Sequence, residues 1–439
     1  MTRSFGSSPD QIRAEQLARL RRHLPEVLRD NPFWRARLHD VRGWDDFERL
    51  PLTAKHDLVA DQAEHPPFGT NLTYPLERYV RVHQTSGSSG TRPLRWLDTA
   101  ESWSWWRRVW AEHVYPAAGV TAADRVFLAF SFGPFIGFWS AFGGAEELGA
   151  LAISGAAMTT EQRVRSMVDV GATVLCSTPT YALRLAEVAE ESGVDLAASP
   201  LRVTVHAGEP GASVPGTRDA IERAFGGSCF DHTGMTELGP TGFSCSQRDG
   251  VHLVESEFVF EVIPEEGDDA GAFLPPGGGG GPPGPVGGED ATSVPTGELV
   301  ATNLGRWGSP LVRYRTGDRV ELSREPCSCG STYAKILGGV RGRVDDMFTV
   351  RGVNLYPSQV EDIVRRFPQI TEFVIEHRRL RRMDEVTLLI ECPDAAAPIE
   401  RLSGDLRAAL GVRIDCRQVA AGSLPRSELK ASRLRRVAD

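Results

Sequence analysis

No stretch of the 439 residues is apolar for long enough to span a bilayer, so the sequence offers no candidate membrane-spanning helix. Behind the charges of Met1 to Asp10 there is no apolar run, so no secretory signal is expected and a cytoplasmic location is. Positive charge is in deficit. With 49 Lys and Arg against 58 Asp and Glu the net charge is −9, which argues against a nucleic-acid partner while leaving room for a local basic pocket around a phosphate. Cysteine is sparse and odd in number. The seven residues Cys176, Cys229, Cys245, Cys327, Cys329, Cys392 and Cys416 read as free thiols or metal ligands, not as a disulfide framework.

What is present is the composition of a soluble globular protein, 41% hydrophobic and 24% charged. The length predicts two or more domains. Residues 9–40 have helical spacing at Ile12, Leu17, Leu20, Leu24 and Leu28, and residues 99–113 place Trp103, Trp106 and Trp110 on one face as a core stripe. From 120 to 230, strand candidates (Arg125–Phe130, Ala150–Ser154, Ala172–Ser177, Leu201–Ala207) alternate with helix candidates (Glu161–Val170, Tyr181–Ser192, Arg218–Phe225). That alternation predicts an α/β sheet with covered faces. The Gly/Pro-rich stretch around 264–296 reads as an elaborated hairpin loop, flexible and at the surface, before a strand resumes at Gly297–Thr302. After about 343–346 a small α+β unit follows, with strands at Phe348–Val350, Glu372–His377 and Glu385–Glu391 and helices at Ser358–Arg366 and Ile399–Leu410.

Five segments carry chemistry. Thr85-Ser86-Gly87-Ser88-Ser89-Gly90-Thr91 offers backbone N–H groups and hydroxyls to phosphate oxygens, and it lies between the extended runs Tyr79–His83 and Leu94–Leu97. It lacks the Gly-Lys-Ser/Thr ending of a Walker loop. Asp231-His232-Thr233-Gly234-Met235-Thr236-Glu237 supplies a carboxylate for a Mg²⁺ that bridges phosphates, although a helix N-cap by Thr236 or a solvated Glu237 reads equally well. Tyr314-Arg315-Thr316-Gly317-Asp318 places a carboxylate where it can accept from ribose hydroxyls, or is a plain hairpin turn. Gly342-Arg343-Val344-Asp345-Asp346 carries an arginine for a phosphate or ribose oxygen. Leu424-Pro425-Arg426-Ser427-Glu428-Leu429-Lys430 puts a lysine near the C-terminus, able to neutralise charge at a reacting phosphate.

Taken in this order and with these gaps, the five segments resemble the adenylate-forming superfamily of acyl-CoA synthetases and peptide-synthetase adenylation domains. Gly352-Val353-Asn354 with Pro357-Ser358-Gln359, and Pro425-Arg426-Ser427-Glu428 before the lysine, resemble the phenylacetate–CoA ligase branch. The resemblance runs from about residue 10 to the end. It implies a large N-terminal α/β domain over 1–342 and a small mobile α+β domain over 346–439, hinged at Asp345. It implies the substrates ATP and coenzyme A, Mg²⁺ as cofactor, and an acid joined to AMP and then passed to a thiol. By motif, Thr85 to Thr91 would cradle the β- and γ-phosphates. Glu237 would hold Mg²⁺ with Thr236 on the α-phosphate. Asp318 would bind the ribose with Arg343 nearby, and Lys430 would drive adenylation. Gly208-Glu209-Pro210, with Asp231, His232 and Thr233, would line the adenine pocket. The chain departs from the family at Thr233, where an aromatic residue is usual, at Arg92, which replaces a lysine, and at Leu429, which replaces a glycine.

Phe132, Phe135 and Phe138 fall where the family lines its acid pocket, with Gly234 and His206 beside it, which points to an aryl acid such as a hydroxy- or aminobenzoate or phenylacetate. Cys245, His252, Cys327 and Cys329 make a three-sulfur, one-imidazole set that suits structural Zn²⁺. A homodimer is compatible with the resemblance. The competing readings are transfer to an amine, a hydroxyl or a carrier protein, γ-phosphoryl transfer with release of ADP, a catalytically degenerate nucleotide binder, and a zinc-dependent interaction module.

Overall fold

The computed structural model describes residues 7–85, 93–264, 272–273, 295–340, 342–343, 348–350, 353–380, 383–392, 398–426 and 433–437. The chain packs as two units. One comprises Met1–Ala123, Ser131–Ala152 and His232–Leu337, the other Asp124–Phe130, Ile153–Asp231 and Gly338–Asp439.

In the first unit, the helix Pro9–Asp30 starts at a capping box in which Ser8 and Gln11 satisfy each other's backbone N–H groups. Its buried face is Ile12, Gln16, Leu20, Leu24 and Val27. Leu17 and Leu28, expected inside, are only half-buried. Gln16 takes a core-facing place because its amide donates to the Glu255 and Phe258 carbonyls, both at 2.7 Å. A polar side chain fits a core when its bonds are made there. The tryptophan helix Ala100–Val109 continues into a π-helical turn, Trp110–Val114, in which Tyr115 N–H reaches the Trp110 carbonyl. Trp103, Trp106 and Trp110 are buried as expected, and so is Trp105.

The antiparallel part of the sheet lies in this unit. Strand Phe258–Pro264 pairs with Thr296–Asn303 from Phe258↔Asn303 to Pro264↔Gly297. The Gly/Pro-rich stretch therefore connects the two arms of a hairpin, as its sequence suggests. Most of it, residues 265–271 and 274–294, lies outside the described residues. Thr296–Asn303 pairs onward with Tyr314–Ser323, that strand with Lys335–Leu337, and that one with Gly250–Leu253.

In the second unit, strands Arg125–Leu128, Val174–Ser177 and Val203–Ala207 run parallel, with Cys176 opposite Leu128 on one side and Val205 on the other. They are nearly fully buried, the signature of a sheet covered on both faces. Helices Thr160–Asp169, Pro179–Glu191 and Pro215–Phe225 supply the cover and agree with the sequence expectation to within a few residues. The same unit holds the C-terminal residues, which have a core of their own that includes Phe348, Val360, Phe373, Ile375, Leu388, Leu402 and Leu406. Their four-stranded sheet runs Asp415–Val419, Met383–Glu391, Glu372–Leu380, Leu434–Val437, with a central hairpin and two parallel outer strands. The outer strands have no sequence signal. Asp-Cys-Arg-Gln-Val and Leu-Arg-Arg-Val are short and charged, and each buries few of its side chains.

Candidate active site and metal-ligand cluster

The Asp231–Glu237 segment begins on strand Ser228–Met235 and turns at 236–238 into strand Gly239–Phe243. Thr236 is thus in a hairpin turn, not at a helix N-cap, and Glu237 is buried instead of solvated. Lys55 Nζ lies 3.2 Å from Glu237 Oε1. The turn is held from behind. Arg306 donates to the Thr236 and Glu237 carbonyls at 2.5 and 3.0 Å and forks onto both Asp98 oxygens at 2.7 Å. Both side chains of that pair are 0% exposed. His83 stands 3.6 Å from Asp98, and the Trp96 and Trp106 rings flank the guanidinium at 5.2 and 5.1 Å. Burial alone would raise the Asp98 pKa, but Arg306 and His83 outweigh it and hold the carboxylate below its usual range.

Lys55, Asp98 and Arg306 are absent from the sequence reading. Asp98 and Arg306 stand 208 positions apart, so no local pattern joins them. Lys55 opens the helix Lys55–Glu64. Thr53 fixes that segment by bridging to Tyr314, its N–H donating to the Arg313 carbonyl and its own carbonyl accepting from Arg315, both at 2.9 Å.

Thr85 and Leu94 share two hydrogen bonds at the ends of the Ser/Gly loop, Thr85 N–H donating to the Leu94 carbonyl at 2.9 Å and Leu94 N–H to the Thr85 hydroxyl at 3.0 Å. Beyond them, Tyr79–Gln84 pairs with Arg95–Thr99. The loop is a hairpin connection. Ser86, Gly87, Ser88, Ser89, Gly90, Thr91 and Arg92 lie outside the described residues, as do Asp345, Leu429 and Lys430, and of Arg343 only the backbone is described.

Asp318 is not in a hairpin turn. Across from Glu298 to Val300, the strand Tyr314–Ser323 inserts Thr316, Gly317 and Asp318 as a bulge, with Gly317 at φ +74°. The Gly317 N–H donates to Glu298 Oε1 at 3.0 Å and the Asp318 N–H to the Thr316 hydroxyl at 3.0 Å. A bulge can re-aim a side chain out of the pleat, and at this one Asp318 is half-buried.

In the second unit, Gly208 has φ +97° directly after strand Val203–Ala207, and Glu209 accepts from Thr180 N–H at 2.9 Å at the start of helix Pro179–Glu191. Asp231 accepts from the Ser213 hydroxyl. Gly339, at φ +74°, passes so close that a Cβ there would sit 2.4 Å from Ser213 Cβ and 3.2 Å from Asp231 Oδ2. His206 is fully buried. Its Nδ1 lies 3.0 Å from the Ser177 hydroxyl and 3.2 Å from the Ser177 carbonyl, and its Nε2 has no partner among the described residues. A carbonyl can only accept, so Nδ1 carries the proton and Nε2 presents a lone pair. His232, expected beside adenine, belongs to the core of the first unit. Its Nδ1 faces the Gly242 carbonyl at 2.7 Å and its ring packs on Trp110 at 4.3 Å. Burial pushes both histidines down to about 4, so each is neutral at physiological pH.

Phe132 is half-buried, edge-on to Trp139 at 4.6 Å and to Phe142 at 5.7 Å. Phe135 and Phe138 are half-buried as well, and Gly234 is exposed. Ring surface is therefore left over in this segment after packing.

Cys245, His252, Cys327 and Cys329 come together with all ligand atoms within 4.8 Å of one another. Cys245 and Cys327 sulfurs are 3.8 Å apart, and Cys329 Sγ is 3.5 Å from His252 Nε2. Thiolates at about 2.3 Å from one tetrahedral centre stand about 3.8 Å apart, and a thiolate and an imidazole about 3.6 Å apart. The Tyr333 carbonyl, 3.1 Å from His252 Nδ1, fixes the tautomer so that Nε2 faces the sulfurs with its lone pair. The set can hold a metal ion.

Residues 352–438 match the family model for the AMP-binding enzyme C-terminal domain. The chain is 30% identical over 465 residues to the phenylacetate–coenzyme A ligase of Thermus thermophilus, covering 98% of this chain and 97% of the relative. Among solved structures, 2-hydroxyisobutyryl-CoA ligase in its postadenylation state, complexed with 2-HIB-AMP, superposes with a TM-score of 0.88 at 29% identity, covering 99% of this chain and 91% of that one. The same ligase with 2-HIB-AMP and CoA in its thioesterification state gives 0.68 at 30% identity, covering 97% and 90%.

Proposed function

Starting from a chain that belongs to the phenylacetate–coenzyme A ligase family of adenylate-forming enzymes, AMP-forming acid–CoA ligases, we propose that its acid is an aryl carboxylate. The enzyme forms an acyl-adenylate from ATP and the acid, and then the CoA thioester. The observation that carries the assignment of its working residues is Glu237, a buried carboxylate beside Lys55 on a turn whose carbonyls Arg306 clamps.

On this reading Thr85 to Thr91 cradle the terminal phosphates and Thr236 meets the α-phosphate. Glu237 is the protein's carboxylate for Mg²⁺, which when bound neutralises phosphate charge. Lys55 is a second cation at the same carboxylate. Asp318, presented by its bulge, accepts from the ribose hydroxyls, with Arg343 nearby. Gly208-Glu209-Pro210 and Asp231 line the adenine side. The acid's carboxylate oxygen attacks the α-phosphate, pyrophosphate leaves, and Lys430 offsets the charge that develops. The unit 346–439 then turns about Asp345, and the CoA thiol attacks the acyl carbon, releasing AMP.

The half-buried rings of Phe132 and Phe135 support an aryl acid, as does the phenylacetate–CoA ligase of Thermus thermophilus. The free lone pair of His206 suits a ring hydroxyl or amine. The structural relative acts on 2-hydroxyisobutyrate, which makes a short hydroxy acid the second reading. Incubation with MgATP and a panel of benzoates, hydroxy- and aminobenzoates, phenylacetate and 2-hydroxyisobutyrate separates them. Acid-dependent pyrophosphate and AMP are expected, greatest with a ring acid. Turnover of 2-hydroxyisobutyrate alone overturns the aryl assignment.

The Cys245–His252–Cys327–Cys329 set is assigned to structural Zn²⁺, because four protein ligands leave no open position for water. One zinc per chain is expected by elemental analysis. Cys327→Ser is expected to lower zinc content and thermal stability while the KM for ATP stays within about twofold. Loss of ATP binding with the fold intact would contradict a structural role.

A further inference from the structure

The helix Pro215–Phe225 and the C-terminal helix Pro357–Val364 meet, within the second unit, along a polar seam. Gly216 N–H donates to Asp362 Oδ1 at 3.0 Å, and the Thr217 hydroxyl lies 3.4 Å from Glu361 Oε1. Thr217 is fully buried and Glu361 nearly so, with Arg365 Nε 3.5 Å from the same carboxylate oxygen. Arg426, from the segment that leads to Lys430, pairs with Glu391 at 2.9 Å and reaches Glu187 of helix Pro179–Glu191 at 3.9 Å.

Three features distinguish this seam from a permanent core. Its buried groups are polar and can be rehydrated when it opens, as at interfaces between moving domains. Beside it lies a cavity of about 470 Å³, lined among others by Leu183, Ala186, Arg223, Ala224, Arg365 and Phe367, so the two faces are close at the seam but not in contact along their whole length. And it admits no side chain at its centre. A Cβ on Gly216 would stand 2.8 Å from the Asp362 carbonyl and 2.9 Å from Arg365 Cβ. Gly216 has an ordinary helical backbone, which any residue can adopt, so the glycine serves the approach of the other helix.

We propose that Gly216 and Asp362 are positioning residues for the first half-reaction. Their seam docks the C-terminal unit in the arrangement that adenylates, and it opens before the thiol reacts. The inference rests on the ligase reading above. Its support on the relative's side is that 2-hydroxyisobutyryl-CoA ligase is seen in postadenylation, open and thioesterification arrangements, and this chain superposes better on the first, 0.88 against 0.70 and 0.68.

The test measures the two half-reactions separately, using phenylacetate or whichever acid of the panel wild-type enzyme turns over fastest. Gly216→Ala and Gly216→Val place a growing side chain in the seam. Alanine is a better helix former than glycine, so the helix itself is not weakened. Acid-dependent ATP–pyrophosphate exchange is expected to fall in that order, reaching about 100-fold for valine, the scale of a small misplacement of reacting groups. Thioester formation from supplied acyl-adenylate and CoA is expected to stay within about twofold or to rise. Asp362→Ala, which removes the acceptor without adding bulk, is expected to show the same one-sided loss at about threefold. Equal loss in both half-reactions with an unchanged melting temperature overturns the proposal, as does no loss in either. Absence of exchange in wild-type enzyme would instead strike the ligase reading. Should Gly216→Val fail to fold, Gly216→Ala and Asp362→Ala decide.

Discussion

Lys430→Ala is expected to lower acid-dependent pyrophosphate release by about 100- to 1,000-fold, the scale of removing one fixed charge or donor from a developing oxyanion. When the carboxylate attacks the α-phosphate, negative charge grows on non-bridging oxygens that already carry it. A cation at that point is worth more in the transition state than in the ground state, so the loss falls on turnover, not on the KM for ATP. Lys430 is the lysine of the Pro425-Arg426-Ser427-Glu428-Leu429-Lys430 segment. In the second half-reaction the thiol attacks the acyl carbon, so charge grows on the carbonyl oxygen and on the oxygen that departs with AMP, and on the reading above the turn about Asp345 has by then withdrawn Lys430. Thioester formation from supplied acyl-adenylate is therefore expected to survive within about tenfold. Equal loss of both steps would remove Lys430 from the role given to it.

Asp98→Ala is expected to destabilise the fold by about 3–5 kcal/mol, because it leaves the Arg306 guanidinium buried without its counter-charge. Both side chains are fully buried and joined by two 2.7 Å bonds, so neither can turn to water when the other is lost. The double variant Asp98→Leu/Arg306→Met replaces the pair with apolar volume and is expected to recover most of the stability, since a buried pair seldom outperforms a packed core. It is not expected to recover activity. Arg306 also clamps the Thr236 and Glu237 carbonyls, and without it the turn that presents Glu237 is free to move. Stability regained with adenylation still lost by about 100-fold separates the clamp from the packing. Full activity in the double variant would reduce the pair to a structural feature. Because the Asp98 carboxylate is held below its usual 3.8, its stabilisation is present above that pH and disappears as pH falls through the lower folded value.

The α/β pattern from 120 to 230 was legible because buried parallel strands such as Val174–Ser177 must be apolar on both faces, and the helices between them keep a 3.6-residue period. The first helix was legible at its start and, through Ile12, Leu20 and Leu24, in most of its face, but not at its end, since it stops at Asp30 where Asn31 caps the short helix Pro32–Arg35. Gln16 hides among apolar positions because its amide bonds to backbone 239 and 242 residues away, which no window of sequence contains. The same limit applies to the site. Thr85, Glu237 and Asp318 announce themselves in local motifs, whereas Lys55, Asp98 and Arg306 are single charges whose partners arrive through folding. Local geometry was misjudged where a short motif suits several backbones. Thr316-Gly317-Asp318 reads as a turn and is a bulge, and Thr236 reads as a cap and is in a hairpin turn. The cysteine and histidine set was readable because ligand chemistry restricts the residue types, even across the 82 positions between Cys245 and Cys327.

The account's central claim is that the acid attacks the α-phosphate of ATP. It is tested most directly by supplying the best acid of the panel with its carboxylate labelled with oxygen-18, together with MgATP and CoA. Attack at the α-phosphate carries one carboxylate oxygen into the adenylate and leaves it on AMP when the thiol takes the acyl group. The account predicts labelled AMP, unlabelled pyrophosphate and an acyl-CoA mass. Label in inorganic phosphate, accompanied by ADP, would mean attack at the γ-phosphate and would contradict it.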